Sequence, residues 1–188
     1  MKRLLIFLFF ISFNGNSQEL FNKYLNFEIE NNSKIAYKKV FELEDNSKED
    51  IIEYFKINSD IEIKITSDEL IGEIKGVKID YKKYGGTEMN TMTVLNHEMF
   101  AKIKIQFRED RYRVILREII FMKKGKVIKT NNKTDLEIVI KSHPITGTKK
   151  SEFKRNKIIL NSLVYMDKYF YETFKYSIKK DLDNDSDW

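Results

Sequence analysis

The chain has 188 residues, 34 Lys+Arg against 29 Asp+Glu for a net charge of +5, no Cys, one Pro and two His. Without cysteine there is no disulfide framework, no thiolate metal site and no cysteine nucleophile, and two histidines leave little for histidine-based zinc chemistry. The length suits one domain with its own core, not two large ones.

The N-terminus has the pattern of a secretory signal. Lys2 and Arg3 form a short positive region, Leu4 to Phe13 is apolar except for Ser12, and Gly15 and Ser17 stand at the small-residue positions of a cleavage site before Gln18. An apolar run of about ten residues is too short to span a bilayer, which takes roughly 20. Cleavage after residue 17 leaves 171 of the 188 residues, and loss of Lys2 and Arg3 lowers the net charge from +5 to +3. The expectation is an exported protein, periplasmic or secreted, with no membrane span after signal removal.

Residues 18–32, with Phe21, Tyr24, Leu25, Phe27 and Ile29, read as a short helix or arm docked on the body. One domain follows over 33–180. Ile35 to Leu43 places Tyr37, Phe41 and Leu43 on one side of a strand. Ser47-x-x-Asp50 resembles a capping box, and Ile51, Ile52 and Phe55 follow at helical spacing, so the pattern predicts a helix over 48–57. Ile61, Ile63 and Ile65 alternate with Glu62, Lys64 and Thr66. A turn at Ser67-Asp68 would pair Ile65 with Leu70 and Ile61 with Ile74. The next strand changes phase near Gly76, the mark of a bulge or bend. Gly85-Gly86 is a turn, and 87–96 is a strand or a loop.

The clearest hairpin is 99–121. Ala101, Ile103, Ile105 and Phe107 share a face, matched after Glu109-Asp110 by Tyr112, Val114, Leu116 and Ile120. Lys102, Lys104, Gln106 and Arg108 share the other, with Arg111, Arg113 and Arg117. Pairing 107 with 112, 105 with 114 and 103 with 116 satisfies both faces. Val127-Ile128 and Leu136 to Ile140 read as strands or loops around Asn131-Asn132, and Ser142 to Thr148 as a linker. A long helix is predicted over about 151–180, with Ile159, Leu160, Leu163, Met166, Phe170, Phe174 and Ile178 in one stripe. The tail 181–188 is acidic.

This order gives an α+β fold: an antiparallel sheet, a short helix after the first strand and a long C-terminal helix packed on one face. Val40-Phe41, Ser47-Lys48-Glu49-Asp50, Ile71-Gly72-Glu73-Ile74-Lys75-Gly76 and Asp110-Arg111-Tyr112-Arg113 resemble a family of exported Bacteroidota proteins of unknown function with a TATA-box-binding-protein-like fold. The resemblance covers about residues 33–122. It implies that fold and export; it carries no catalytic residues, and the fold's name does not imply DNA binding. The hairpin and long helix of 123–180 lie beyond it.

Four of the chain's six arginines, Arg108, Arg111, Arg113 and Arg117, fall within ten residues among 28 lysines. Lysine serves generic solubility equally well; an arginine fork meets a carboxylate or phosphate in two contacts. With Lys102 and Lys104 they make a candidate acid-binding sheet face. The same pattern arises from an ion-paired solvated face, with Glu62 and Glu73 as partners. Ile158, Tyr165, Tyr169 and Tyr176 form a second stripe on the long helix. It is either covered by the arm or the 126–141 hairpin, or it is a partner or dimer surface. His97-Glu98, His143 and Asp181-x-Asp183-x-Asp185 complete no metal motif, and there is no nucleophile-elbow serine and no P-loop. Nucleic-acid binding would need stacking aromatics beside the arginines, and Tyr112 falls on the core face. The reading is a non-enzymatic binding module of the bacterial envelope, without cofactor or metal, whose partner is a protein or an acidic ligand. The alternative is an envelope hydrolase using a pair of carboxylates that the sequence does not single out.

Overall fold

The computed structural model describes residues 21–30, 34–44, 46–57, 61–65, 69–123, 133–136, 141–142 and 152–177. The expected signal, the Val127-Ile128 strand, most of the linker, Ile178 and the acidic tail lie outside them. Eight strands form one antiparallel sheet: β1 (Lys23–Tyr24), β2 (Phe27–Ile29), β3 (Ile35–Glu42), β4 (Ile61–Ile65), β5 (Glu69–Val77), β6 (Glu98–Arg108), β7 (Arg111–Met122) and β8 (Lys133–Asp135). Their order is β1-β2-β3-β7-β6-β5-β4, and β8 pairs with the far end of β7. Helices α1 (Lys48–Ile57) and α2 (Lys157–Phe174) and a small ribbon of β9 (Lys141–Ser142) with β10 (Glu152–Phe153) complete the described fold.

The arm folds as a hairpin, not a helix. Tyr24 pairs with Phe27 across a turn at Leu25-Asn26, where Leu25 takes φ 54°. β2 then pairs with β3, so α1 follows the third strand of the chain and not the first. The hairpin of β4 and β5 pairs Ile65 with Leu70 and Ile61 with Ile74, and the register shifts after Ile74 with Gly76 at φ 70°. β6 and β7 pair Phe107 with Tyr112, Ile105 with Val114 and Ile103 with Leu116.

One position on β7 departs from the expected alternation. Two residues, Glu118 and Ile119, lie opposite one between the Phe100–Ile120 and Lys102–Arg117 pairs, with Glu118 at φ 51°. This bulge switches the inward parity. Ile119 and Phe121 are buried, while Ile120, expected on the apolar face, is only half-buried.

The buried face joins Ile103, Ile105, Val114 and Leu116 with Leu163 and Phe170 of α2 in one cluster. α1 starts on a closed capping box: Asp50 N–H donates to Ser47 Oγ, and Ser47 N–H and Oγ–H donate to Asp50 Oδ2. α2 is shorter than predicted at both ends. Glu152-Phe153 pairs with β9, and Asn156 caps the helix through its side-chain oxygen, 2.9 Å from Ile158 N. At the other end Tyr112 Oη, buried on β7, donates to Phe174 O at 2.6 Å and accepts from Tyr176 N at 2.9 Å. A core side chain thus completes the helix terminus, and Lys175 is already extended. Residues 87–96, undecided between strand and loop, are turns and a single 3-10 turn at Thr93–Asn96.

Candidate functional site

Alternation puts Lys102, Lys104, Gln106 and Arg108 of β6 and Arg111, Arg113 and Arg117 of β7 on the face turned away from α2. Four of the six candidate cations, Lys102, Lys104, Arg111 and Arg117, are ion-paired. Arg117 makes a two-pronged contact with Glu30, Nε to Oε2 at 2.9 Å and Nη2 to Oε1 at 2.7 Å. Those bonds, with help from Lys38, hold the Glu30 carboxyl at about 2 against an ordinary 4.5. Lys104 pairs with Glu69 at 2.6 Å and Lys102 with Glu118 at 2.8 Å. The hydrogen bond from Lys104, then that from Gln106, lowers the Glu69 pKa.

The expected acids are engaged elsewhere. Glu62 and Glu73 both lie beside Lys75 and not against the arginines. Glu30 comes instead from the arm. Only the β2–β3 pairing, which the sequence pattern did not resolve, brings it to β7.

The remaining arginines are differently placed. Arg113 stands between Val40 of β3 and Gln106 of β6. Its fork donates to the neutral Gln106 Oε1, from Nε at 3.2 Å and Nη2 at 2.6 Å. Gln106 Nε2 in turn donates to Glu69 Oε1 at 2.6 Å, so an amide separates the guanidinium from the nearest acid in the chain of bonds. Arg111 Nε binds its own neighbour Asp110 at 2.8 Å at the exposed turn. Arg108 is exposed and has no ion pair among the described residues. Arg108, Arg111 and Arg113 line a shallow concavity of about 330 Å³ with Val40, Glu69, Gln106 and Phe107. Val40, 45% exposed, offers an apolar wall that the sequence reading overlooked. Its only signal was its outward parity on β3.

This end of the face can receive an anion. Arg108 and Arg113 supply donors at a site with apolar surface beside them, and a carboxylate or phosphate oxygen would replace a neutral amide oxygen as Arg113's partner.

The tyrosine stripe is not a continuous surface. Tyr165 is 8% exposed, Tyr169 and Tyr176 pack against the core, and only Ile158 is open, at 41%. Most of the 126–141 segment lies outside the described residues; among those described, the cover over Tyr165 comes from another stretch of chain. The segment Tyr81–Gly86 lies on α2, with Tyr84 Oη 2.8 Å from Glu172 Oε2 and Lys83 paired to the same carboxylate. Gly86 makes that approach close: a Cβ there would lie 3.0 Å from the Tyr165 ring and 2.8 Å from Tyr81 O. Tyr176 lies past the end of α2, edge-on to Tyr54. Among the described residues no group of His, Asp and Glu is placed to hold a metal ion. No helix among them is long and apolar enough to cross a membrane.

No family model and no curated protein matches the chain. Among solved structures it is similar to a TBP-like protein from Parabacteroides distasonis, at 15% identity and a TM-score of 0.45, over 75% of this chain and 90% of that one.

Proposed function

We propose that this chain is an exported module of the bacterial envelope that binds an acidic group at the open end of its outer sheet face, without turning it over. The observation that carries the reading is the state of Arg113. Its fork is held in place by Gln106 and receives no acid, while its neighbours Arg117 and Lys104 are already neutralised. Export is supported by Lys2, Arg3, the apolar run to Phe13 and the small Gly15 and Ser17, and by the resemblance of residues 33–122 to exported Bacteroidota proteins. Binding is favoured over hydrolysis because the concavity is lined by a single carboxylate, Glu69, whose pKa is lowered. A general acid needs the opposite shift.

The exposed Val40 side chain favours an acid carried on an apolar group. The test uses benzoate, phenyl phosphate and uncharged benzamide, titrated at low and high salt. The two anions should bind and benzamide should not, with affinity falling as salt rises. Arg113→Lys should weaken both anions, since an ammonium cannot make the two-pronged contact. Binding of none of the anions at low salt, or equal binding by Arg113→Lys, overturns the reading.

A further inference from the structure

β4 ends the sheet on its side. It pairs with β5 along one edge, and no strand among the described residues pairs along the other. A free edge carries unspent N–H and C=O groups and joins any complementary strand unless charge prevents it. On β4 the charge permits one partner in particular. Its residues read Ile61-Glu62-Ile63-Lys64-Ile65, symmetric about Ile63 in hydropathy and opposite in charge across it.

Set antiparallel to a second copy with Ile63 facing Ile63, Glu62 meets Lys64 and Lys64 meets Glu62, while Ile61 meets Ile65. Neighbouring registers fail. A shift of one residue puts charged positions against apolar ones. A shift of two puts Glu62 against Glu62 in one direction and Lys64 against Lys64 in the other, and a parallel in-register arrangement aligns like charges side by side. Glu62 and Lys64 are both exposed, and the Lys75 partner of Glu62 is itself 54% open, so neither charge is locked away. A second feature lies at the same edge. Ile57 closes α1, which packs next to β4, and is 75% exposed.

From this we infer that β4 is a self-association seam: two copies join edge to edge about a two-fold axis through Ile63, making one continuous sheet. Such a contact is isologous, each strand supplying the same residues to the other. It is independent of the acid-binding reading and uses other residues.

Sedimentation velocity on the full chain over a concentration series tests it, with folding of each variant checked by circular dichroism. The wild type should dimerise. Glu62→Lys places lysine opposite lysine at both symmetric positions and should weaken dimerisation by about tenfold or more; Lys64→Glu should do the same with glutamates. Mixed in equal amounts, these two variants should associate with each other, and the double exchange Glu62→Lys with Lys64→Glu should restore the homodimer. A wild type that stays monomeric at its highest soluble concentration overturns the inference. So does a dimer indifferent to both single reversals. If a variant fails to fold, concentration-dependent amide protection of β4 in the wild type decides the matter in the same two directions.

Discussion

Arg113 and Arg117 stand on the same face of β7, yet the fold treats them oppositely. Arg117 meets Glu30, delivered by the arm, and the pair is closed by two charge-assisted bonds. Arg113 meets Val40 on one side and Gln106 on the other, and its fork ends on an amide oxygen. The lesson is that a run of arginines does not locate a site by itself. What the neighbouring strands set beside each guanidinium decides whether its charge is spent internally or left for a ligand.

That contrast can be broken at several points. The largest expected effect is on the strand that carries both arginines. Leu116 is fully buried between them on the inner face, and Leu116→Ala should cost about 2–5 kcal/mol in a denaturant melt. A loss under about half a kcal/mol would mean that the two faces are reversed and the comparison is void. Next comes the tyrosine side, which must be closed for the arginine end to be the better candidate. Gly86→Ala drives a methyl to 2.8 Å from the Tyr81 carbonyl and should cost about 1–3 kcal/mol in the same melt. An unchanged midpoint would mean that the segment over α2 is loosely held.

The Arg117 half of the contrast has its own test. Glu30→Gln removes a charge-assisted contact and should destabilise by about 1–2 kcal/mol at neutral pH. The Glu30 pKa is depressed in the folded state, so its contribution is fully present above 4.5 and fades as pH falls toward about 2. Wild type should therefore lose stability across that window more steeply than Glu30→Gln. Parallel curves would show that the pair contributes nothing. The smallest effect belongs to the exposed Lys102–Glu118 pair: Lys102→Gln should change stability by less than about 1 kcal/mol. A larger loss would make the whole face a structural ion network and leave the arginine end without special standing.

Much of the sheet was legible because its pattern is redundant. In 99–121 both faces had to agree at every pair, and they agree only in the register observed up to the bulge. The bulge at Glu118 was not legible: a single inserted residue with positive φ leaves no turn signal, so Ile120 read as inward. The sequence leaves the 18–32 segment open between a helix and a docked arm because Phe21, Tyr24 and Phe27 fit helical spacing as well as a hairpin, and the turn is built on Leu25-Asn26 with no glycine. The length of α2 was overestimated because its end is set by the hydroxyl of Tyr112, 62 positions away from Phe174 in sequence. The arginine positions were visible from composition, whereas Glu30 and Val40 became part of the account only through strand order. The tyrosine stripe was real as a periodicity, but its cover came from a short 3-10 segment that periodicity does not reveal.

The most direct measurement compares three proteins in one calorimetric titration with phenyl phosphate at low salt: wild type, Arg113→Lys and Arg117→Lys. Losing the fork at Arg113 should weaken binding by about tenfold, the equivalent of one charge-assisted hydrogen bond. Arg117→Lys, whose arginine is already held by Glu30, should bind within about twofold of wild type. Equal weakening by both variants, or none by either, would contradict the claim that neighbouring strands reserve Arg113 for a ligand.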